Sequence, residues 1–276
     1  MKLHRVRVSP LPSWVDAGRL LGEGPWELTP FGGFFIATAE LSAAAAADLD
    51  ARLRGVVLAG QRLGCEIVPR LARPLVRKAR LDEARRQRDR SVGLSREGVV
   101  LDDETRLGLT PEALALALGE RAKHAIKARL GDAAPLTVVD VCCGAGGNTI
   151  GFARSGFQVT AVEQDAQRLA AARHNARLYG VGDRVVFVHA DAREVLDSHA
   201  AALWFVDVPW GARSQTGHLP LLAEILSRRP AAQELWAKVP ADFDPALVPG
   251  AQPIAWFGAG AGDAHRVKLV VLELLG

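Results

Sequence analysis

Hydrophobic and polar positions set up an alternation of strands and helices over the second half of the chain. Val138, Val139 and Val141 form a β-branched run of the kind buried on both faces of a parallel sheet. The run breaks at Cys142-Cys143-Gly144-Ala145-Gly146-Gly147, and residues 148–154 read as a helix. A second apolar run, 157–162, ends in Glu163; a third, 185–188, leads to Asp191. A fourth, 203–206, leads into Asp207-Val208-Pro209-Trp210-Gly211. Between them lies a helix, 166–179, with Asp165 as N-cap and Gly180 closing it. Upstream, Thr110-Pro111-Glu112 predicts a helix start, with a hydroxyl N-cap, proline at the first helical position and an acid beside it; Gly131 ends that helix. Downstream come a helix at 219–227 and strands at 235–239, 253–257 and 266–274. Strands alternating with helices predict an α/β fold.

The first part of the chain reads differently. Residues 1–98 are expected to form a basic, mostly helical extension, and residues 99–276 a second domain. FFIATA (34–39) fits a strand, and a helix starts with Ser42 as N-cap and runs through the alanines. Between positions 70 and 90 stand nine Lys/Arg against three Asp/Glu, with Pro74 in the first turn of a helix whose polar face is basic. Such a run is either a solvated face or a surface that contacts phosphates without reading sequence.

Composition narrows the field. Nearly half of the 276 residues are hydrophobic, enough for a substantial core. The net charge of +3 is mild, and a pI near 9.0 leans toward an anionic partner. Three cysteines give neither a disulfide framework nor zinc-type spacing, so no metal is expected. The start of the chain lacks the apolar core of a signal peptide and no stretch is long enough to span a membrane, which predicts a cytoplasmic protein.

The strand ends carry the chemistry. A strand, a glycine turn and a helix are how an α/β fold builds a nucleotide pocket: glycines admit the ligand to the backbone and the helix start offers free N–H groups. Glu163 lies 17 positions beyond Gly146, where a ribose-binding carboxylate belongs after the first crossover. A carboxylate can accept from both ribose hydroxyls. A dinucleotide-binding dehydrogenase fits poorly, because Gly144-Ala145-Gly146 is followed by Gly147-Asn148-Thr149 and the third glycine of that pattern is missing.

These residues resemble a known family. Asp140 through Gly146 resembles the first motif of class I methyltransferases that use S-adenosylmethionine. Gly146-Gly147-Asn148-Thr149-Ile150 is similar to the trimethylguanosine synthase group, the RNA cap guanine-N2 methyltransferases. Val100-Leu101-Asp102 with Leu109-Thr110-Pro111-Glu112 resembles the segment that precedes that family's core and closes over the cofactor. Asp207-Val208-Pro209-Trp210 resembles its fourth motif, an Asp, Asn or Ser followed by Pro-Pro and an aromatic. The resemblance covers roughly residues 99–276.

The resemblance implies a Rossmann-like, seven-stranded, mostly parallel sheet with helices on both faces. It implies S-adenosylmethionine as methyl donor and S-adenosylhomocysteine as product. The cofactor side would comprise Thr110, Asp140, Cys142, Gly144, Gly146, Asn148, Thr149, Glu163 and Asp191. Thr110 would face the methionine portion, Asp140 would order the turn, and Asp191 would accept from the adenine amino group. Methyl transfer is an in-line displacement that needs the acceptor held roughly 3 Å from the methyl carbon. Asp207 and the Val208 carbonyl would accept from the N–H groups of an exocyclic amine, Pro209 would shape the loop, and Trp210 would stack on the base.

The sequence departs from the family at two places: Val208 stands for the first proline, and Cys142 for a frequent glycine. The composition also looks bacterial. The expected acceptor is therefore an N2-guanine or related amine in RNA other than a cap, with residues 70–90 as docking element. A small-molecule or peptide N-methyltransferase is the main rival. A non-catalytic binding module is a weaker one, because the Gly144, Gly146, Glu163 and Asp191 set is intact.

Overall fold

The computed structural model describes residues 3–58, 60–88, 93–196, 200–209, 219–228, 234–240, 243–257 and 269–274. The chain divides into two compact units. The first comprises residues 1–90 with 241–245 and 253–270, the second residues 91–240 with 246–252 and 271–276.

The first unit holds β1 (Leu3–Pro12), α1 (Ala17–Leu21), β2 (Glu27–Phe31), β3 (Phe34–Ser42), α2 (Ala43–Leu53), β4 (Val57–Leu58), β5 (Gln61–Arg62), β6 (Gly64–Val68) and α3 (Arg73–Arg88). The expectation of a mostly helical extension is corrected here. Its centre is a four-stranded sheet of order β2-β3-β1-β6, with β1 antiparallel to both β3 and β6. The reason lies in β1, where His4, Val6 and Val8 point inward while Leu3, Arg5 and Arg7 face out. This is strict period-two patterning, in which the arginines are the polar phase of a strand. Ser42 caps α2 as expected, its hydroxyl accepting from the Ala45 N–H at 3.2 Å.

The second unit holds α4 (Asp103–Gly108), α5 (Glu112–Leu130), β7 (Thr137–Val141), α6 (Gly147–Arg154), β8 (Gln158–Glu163), α7 (Ala166–Leu178), β9 (Val185–His189), β10 (Leu203–Val206), α8 (Leu219–Arg228) and β11 (Glu234–Val239). Two strands follow, β12 (Ala251–Phe257) and β13 (Leu269–Leu274). The order of the large sheet is β12-β13-β11-β10-β7-β8-β9. The five strands from β11 to β9 are parallel, with Asp140 registered between Phe205 and Ala161. From β7 the chain winds outward through β8 to β9, then returns to β10 on the other side. The β7/β10 boundary is thus a topological switch point, where open α/β sheets place their ligands. Val138, Val139, Val141 and all of β10 and β11 are buried, which matches the continuous apolar runs read in the sequence.

Residues 93–98, expected with the extension, bond into the second unit. The Ser95 N–H donates to the Tyr179 hydroxyl at 2.9 Å, and the Ser95 hydroxyl to Glu112 at 2.7 Å. Among the described residues, no helix is long and apolar enough to cross a membrane.

Candidate active site

The glycine turn after β7 is held from beneath and from the side. Gly146 begins α6 at φ 89°, a left-handed conformation that glycine alone adopts without strain, and a Cβ there would meet Ala172 at 3.2 Å. Cys142 also sits in the left-handed region, at φ 64°. The cysteine that departs from the family's glycine therefore occupies a position where glycine is the unstrained residue. Burial pushes both the Cys142 and Cys143 thiols up, and the surrounding carboxylates add to it. A thiol pushed up in this way keeps its proton, which disfavours a role as nucleophile.

Asp140 is fully buried under the turn, and its Oδ2 accepts from the Thr149 hydroxyl at 2.5 Å. Burial first, then the charges of Asp207 and Glu163, push its carboxyl up to about 7, against the Thr149 bond and Lys238. Its Oδ1 takes no hydrogen bond among the described residues. Glu163, at the end of β8, uses both oxygens on backbone: Oε2 accepts from the Gly144 N–H at 2.9 Å and Oε1 from the Asp165 N–H at 3.0 Å. Each oxygen keeps a lone pair for a further donor.

A cavity of about 460 Å³ opens at these strand ends. Its walls include Thr110, Cys142, Gly144, Asn148, Glu163, Asp191, Asp207, Val208 and Pro209, so most of the residues singled out in the sequence come together. Asp140, Gly146 and Thr149 do not line it and instead support the turn from behind. Trp210 lies outside the described residues. Glu104, Thr105 and Leu109 line the cavity from α4 and the segment after it, and Pro220, Leu221 and Glu224 from α8.

Local interactions hold α4 at that wall. Asp102 and Thr105 form a capping box, and Arg168 ties Asp102 at 2.9 Å and also pairs with Glu104. Thr110 is a correction. The N-cap position of α5 is Pro111, without a side-chain cap bond, and the buried Thr110 hydroxyl instead accepts from Lys238 Nζ at 2.8 Å. Asp191 caps a short 3-10 turn, Ala192–Glu194, and its carboxylate is held down to about 2 by Arg193, whose Nε donates to it at 2.8 Å.

Asp207 Oδ2 accepts from Asn148 Nδ2 at 2.8 Å and from Lys238 Nζ at 2.5 Å. Lys238, on β11, was missed in the sequence. The available signal was a lone lysine inside the apolar run Leu235-Trp236-Ala237-Lys238-Val239: an ammonium buried in a strand needs a partner.

In the first unit, Lys78 pairs with Asp82, Arg80 with Asp50, and Arg86 with Asp48 and Glu83. Arg73 and Arg77, one helical turn apart and exposed, form no ion pair with a described residue. With Leu71, Val76, Arg80 and Leu81 they line a groove of about 480 Å³.

Residues 136–218 match the family described as RNA cap guanine-N2 methyltransferase. The trimethylguanosine synthase of Schizosaccharomyces pombe is 33% identical over 127 residues, 44% of this chain and 50% of that protein. That of Saccharomyces cerevisiae is 29% identical over 118 residues, 41% of this chain and 36% of that protein. The chain thus spans half or less of the length of these curated relatives. Among solved structures, the human methyltransferase 10 domain containing protein covers 64% of this chain and 89% of its own at 17% identity, with a TM-score of 0.48. The matched segment, residues 136–218, includes β7, the glycine turn, Glu163, Asp191 and Asp207, which supply part of the cavity wall. Over that segment the chain is similar to the RNA cap guanine-N2 methyltransferases, which makes it an S-adenosylmethionine-dependent methyltransferase of class I.

Proposed function

We propose that the protein transfers a methyl group from S-adenosylmethionine to an exocyclic amine of a base in RNA, foremost N2 of a guanine outside a cap. The observation that carries this reading is the convergence of the glycine turn, Glu163 and Asp207 on one cavity at the sheet's switch point. The residues present fit the cofactor. Asn148 stands on the cavity wall with a buried Oδ1 that takes no hydrogen bond among the described residues, an unmet acceptor of the kind a bound polar group satisfies.

When bound, S-adenosylmethionine supplies an electrophilic methyl carbon on a sulfonium. Glu163 would accept from the ribose hydroxyls with the lone pairs its backbone bonds leave free, and Asp191 would accept from the adenine amino group. Asp207 and the Val208 carbonyl would orient the acceptor amine and favour the positive charge that develops on it. Trp210 is assigned the stacking face on sequence grounds. The unpaired Arg73 and Arg77 of α3 support phosphate contact by the first unit, which positions RNA without reading it. Three cysteines without an internal disulfide among the described residues support a reducing, cytoplasmic setting.

Titration with S-adenosylhomocysteine, combined with methyl-labelled S-adenosylmethionine and total cellular RNA, tests the reading. Micromolar binding with label recovered as N2-methylguanine is expected. Glu163→Ala should weaken binding by about 1.5–3 kcal/mol, the loss of hydrogen bonds to a charged group. Binding with label only in small molecules would move the acceptor to a metabolite, and no binding would overturn the reading.

A further inference from the structure

Lys238 joins three elements through one ammonium group. It stands on β11 with only 7% of its surface exposed. Its Nζ donates to Asp207 Oδ2 at 2.5 Å, to Thr110 Oγ1 at 2.8 Å and to the Gly108 carbonyl at 3.5 Å. Asp207 belongs to the loop after β10, whereas Gly108 ends α4 and Thr110 precedes α5. Asn148, from α6, donates to the same Asp207 oxygen, so neither donor occupies Oδ1.

We propose that Lys238 is a positioning residue: it pins Asp207 by Oδ2 so that Oδ1 faces the acceptor amine, and it ties the α4–α5 segment over the cavity to that same carboxylate. The inference rests on the methyltransferase reading for the role of Asp207, while the tie itself is independent of it. Two arguments carry it. A carboxylate gripped on one oxygen by two donors from different elements has one rotamer, and that pre-sets the geometry an in-line transfer needs. A buried ammonium whose donors reach a carboxylate, a hydroxyl and a carbonyl also holds those groups together, because parting any of them leaves a polar group unmet in a dry site. Asp140 on β7 and the Cys142 thiol both feel the charge of Asp207. Lys238 supplies the positive charge that pairs with that carboxylate at 2.5 Å.

The test compares the wild-type chain with Lys238→Met, Lys238→Gln and Lys238→Arg. Three quantities are read: transfer of label to total cellular RNA, affinity for S-adenosylhomocysteine, and hydrogen exchange of the Arg106 and Leu109 amides, which donate to Asp102 and Thr105. Lys238→Met should lower kcat about a hundredfold and leave S-adenosylhomocysteine affinity within about threefold. That split separates loss of positioning from loss of the cofactor site. The Arg106 and Leu109 amides should exchange at least about tenfold faster, while β7 and β8 amides keep their rates. Lys238→Arg, which retains the charge and its donors, should recover part of the lost kcat. If Lys238→Met does not accumulate folded, Lys238→Gln must show the fall in kcat and the faster α4 exchange. Unchanged kcat and exchange per folded molecule would overturn the inference. If the wild type itself neither binds S-adenosylhomocysteine nor labels RNA, the methyltransferase reading fails, and the exchange comparison still decides whether Lys238 ties α4.

Discussion

At the scale of single residues, Asp140 shows how a legible position acquires a role that the sequence could not state. Its place at the end of the first strand was readable; its burial beside two other carboxylates was not. Because its folded carboxyl is pushed up to about 7, from an ordinary value of about 4, the native protein holds its proton across that window more tightly than the unfolded chain does. Stability from this group is therefore present below about pH 4 and is lost as pH rises through about 7. Asp140→Asn should flatten that fall. Urea denaturation at pH 5 and pH 8 checks it, with the wild type losing more stability between the two than the variant. Glu112 works with the opposite sign. Burial would raise its carboxyl, but bonds from Ser95, Tyr179 and Arg154 outweigh this and hold it at about 2. Its stabilisation is present above about pH 4.5 and is lost as pH falls toward 2. Glu112→Gln should cost on the order of 1–3 kcal/mol at pH 7. Its acid unfolding should lack the corresponding slope between pH 4.5 and 2.

At the scale of elements, the turn is only as well placed as the helix behind it. α5 and α6 approach closely at two glycines. A Cβ on Gly151 would stand 2.4 Å from the Ala115 carbonyl oxygen, and one on Gly119 would stand 2.9 Å from the Gly151 carbonyl oxygen. Backbone cannot yield as a side chain end can, so α6 must shift if a methyl is added. Gly151→Ala should destabilise by roughly 1–3 kcal/mol and weaken S-adenosylhomocysteine binding, since α6 begins at the glycine turn. Thermal unfolding and titration on the same sample separate the two effects. The glycines were visible in the sequence, but their partner was not: Gly151 reads as part of a helix until α5 is packed on it.

At the scale of the whole molecule, the two units carry different chemistry. The second holds the cavity. The first presents Arg73 and Arg77 on α3 without ion pairs to described residues, while other basic residues of that helix are engaged with Asp48, Asp50, Asp82 and Glu83. On the proposed RNA reading, Arg73 and Arg77 are the described α3 arginines best placed to replace phosphate counterions. Substituting both Arg73 and Arg77 by Ala should weaken RNA binding uniformly across sequences. It should also lower the salt dependence of log K by about one for each phosphate that is no longer neutralised. Filter binding between 50 and 200 mM salt reads both, and an unchanged slope would remove α3 from the RNA-contacting surface.

Local pattern in the chain was enough to place the parallel strands β7 to β11, the glycine turn, the capped helices α2 and α7, and the acids at the strand ends. All of these rest on neighbours within a few positions: apolar runs, a cap bonding two or three residues on, a glycine at a left-handed turn. Tertiary structure alone decided what depends on distant partners. The Thr110 hydroxyl, read as a local cap, went to Lys238, 128 positions away. Lys238 itself acquired meaning only when β11 was laid beside β10 and Asp207 came within reach. The sheet of the first unit, likewise, exists only because β1 finds β3 and β6. A strand's pattern can be written in its own residues, but its hydrogen bonds belong to other strands, and so do the partners of a buried charge.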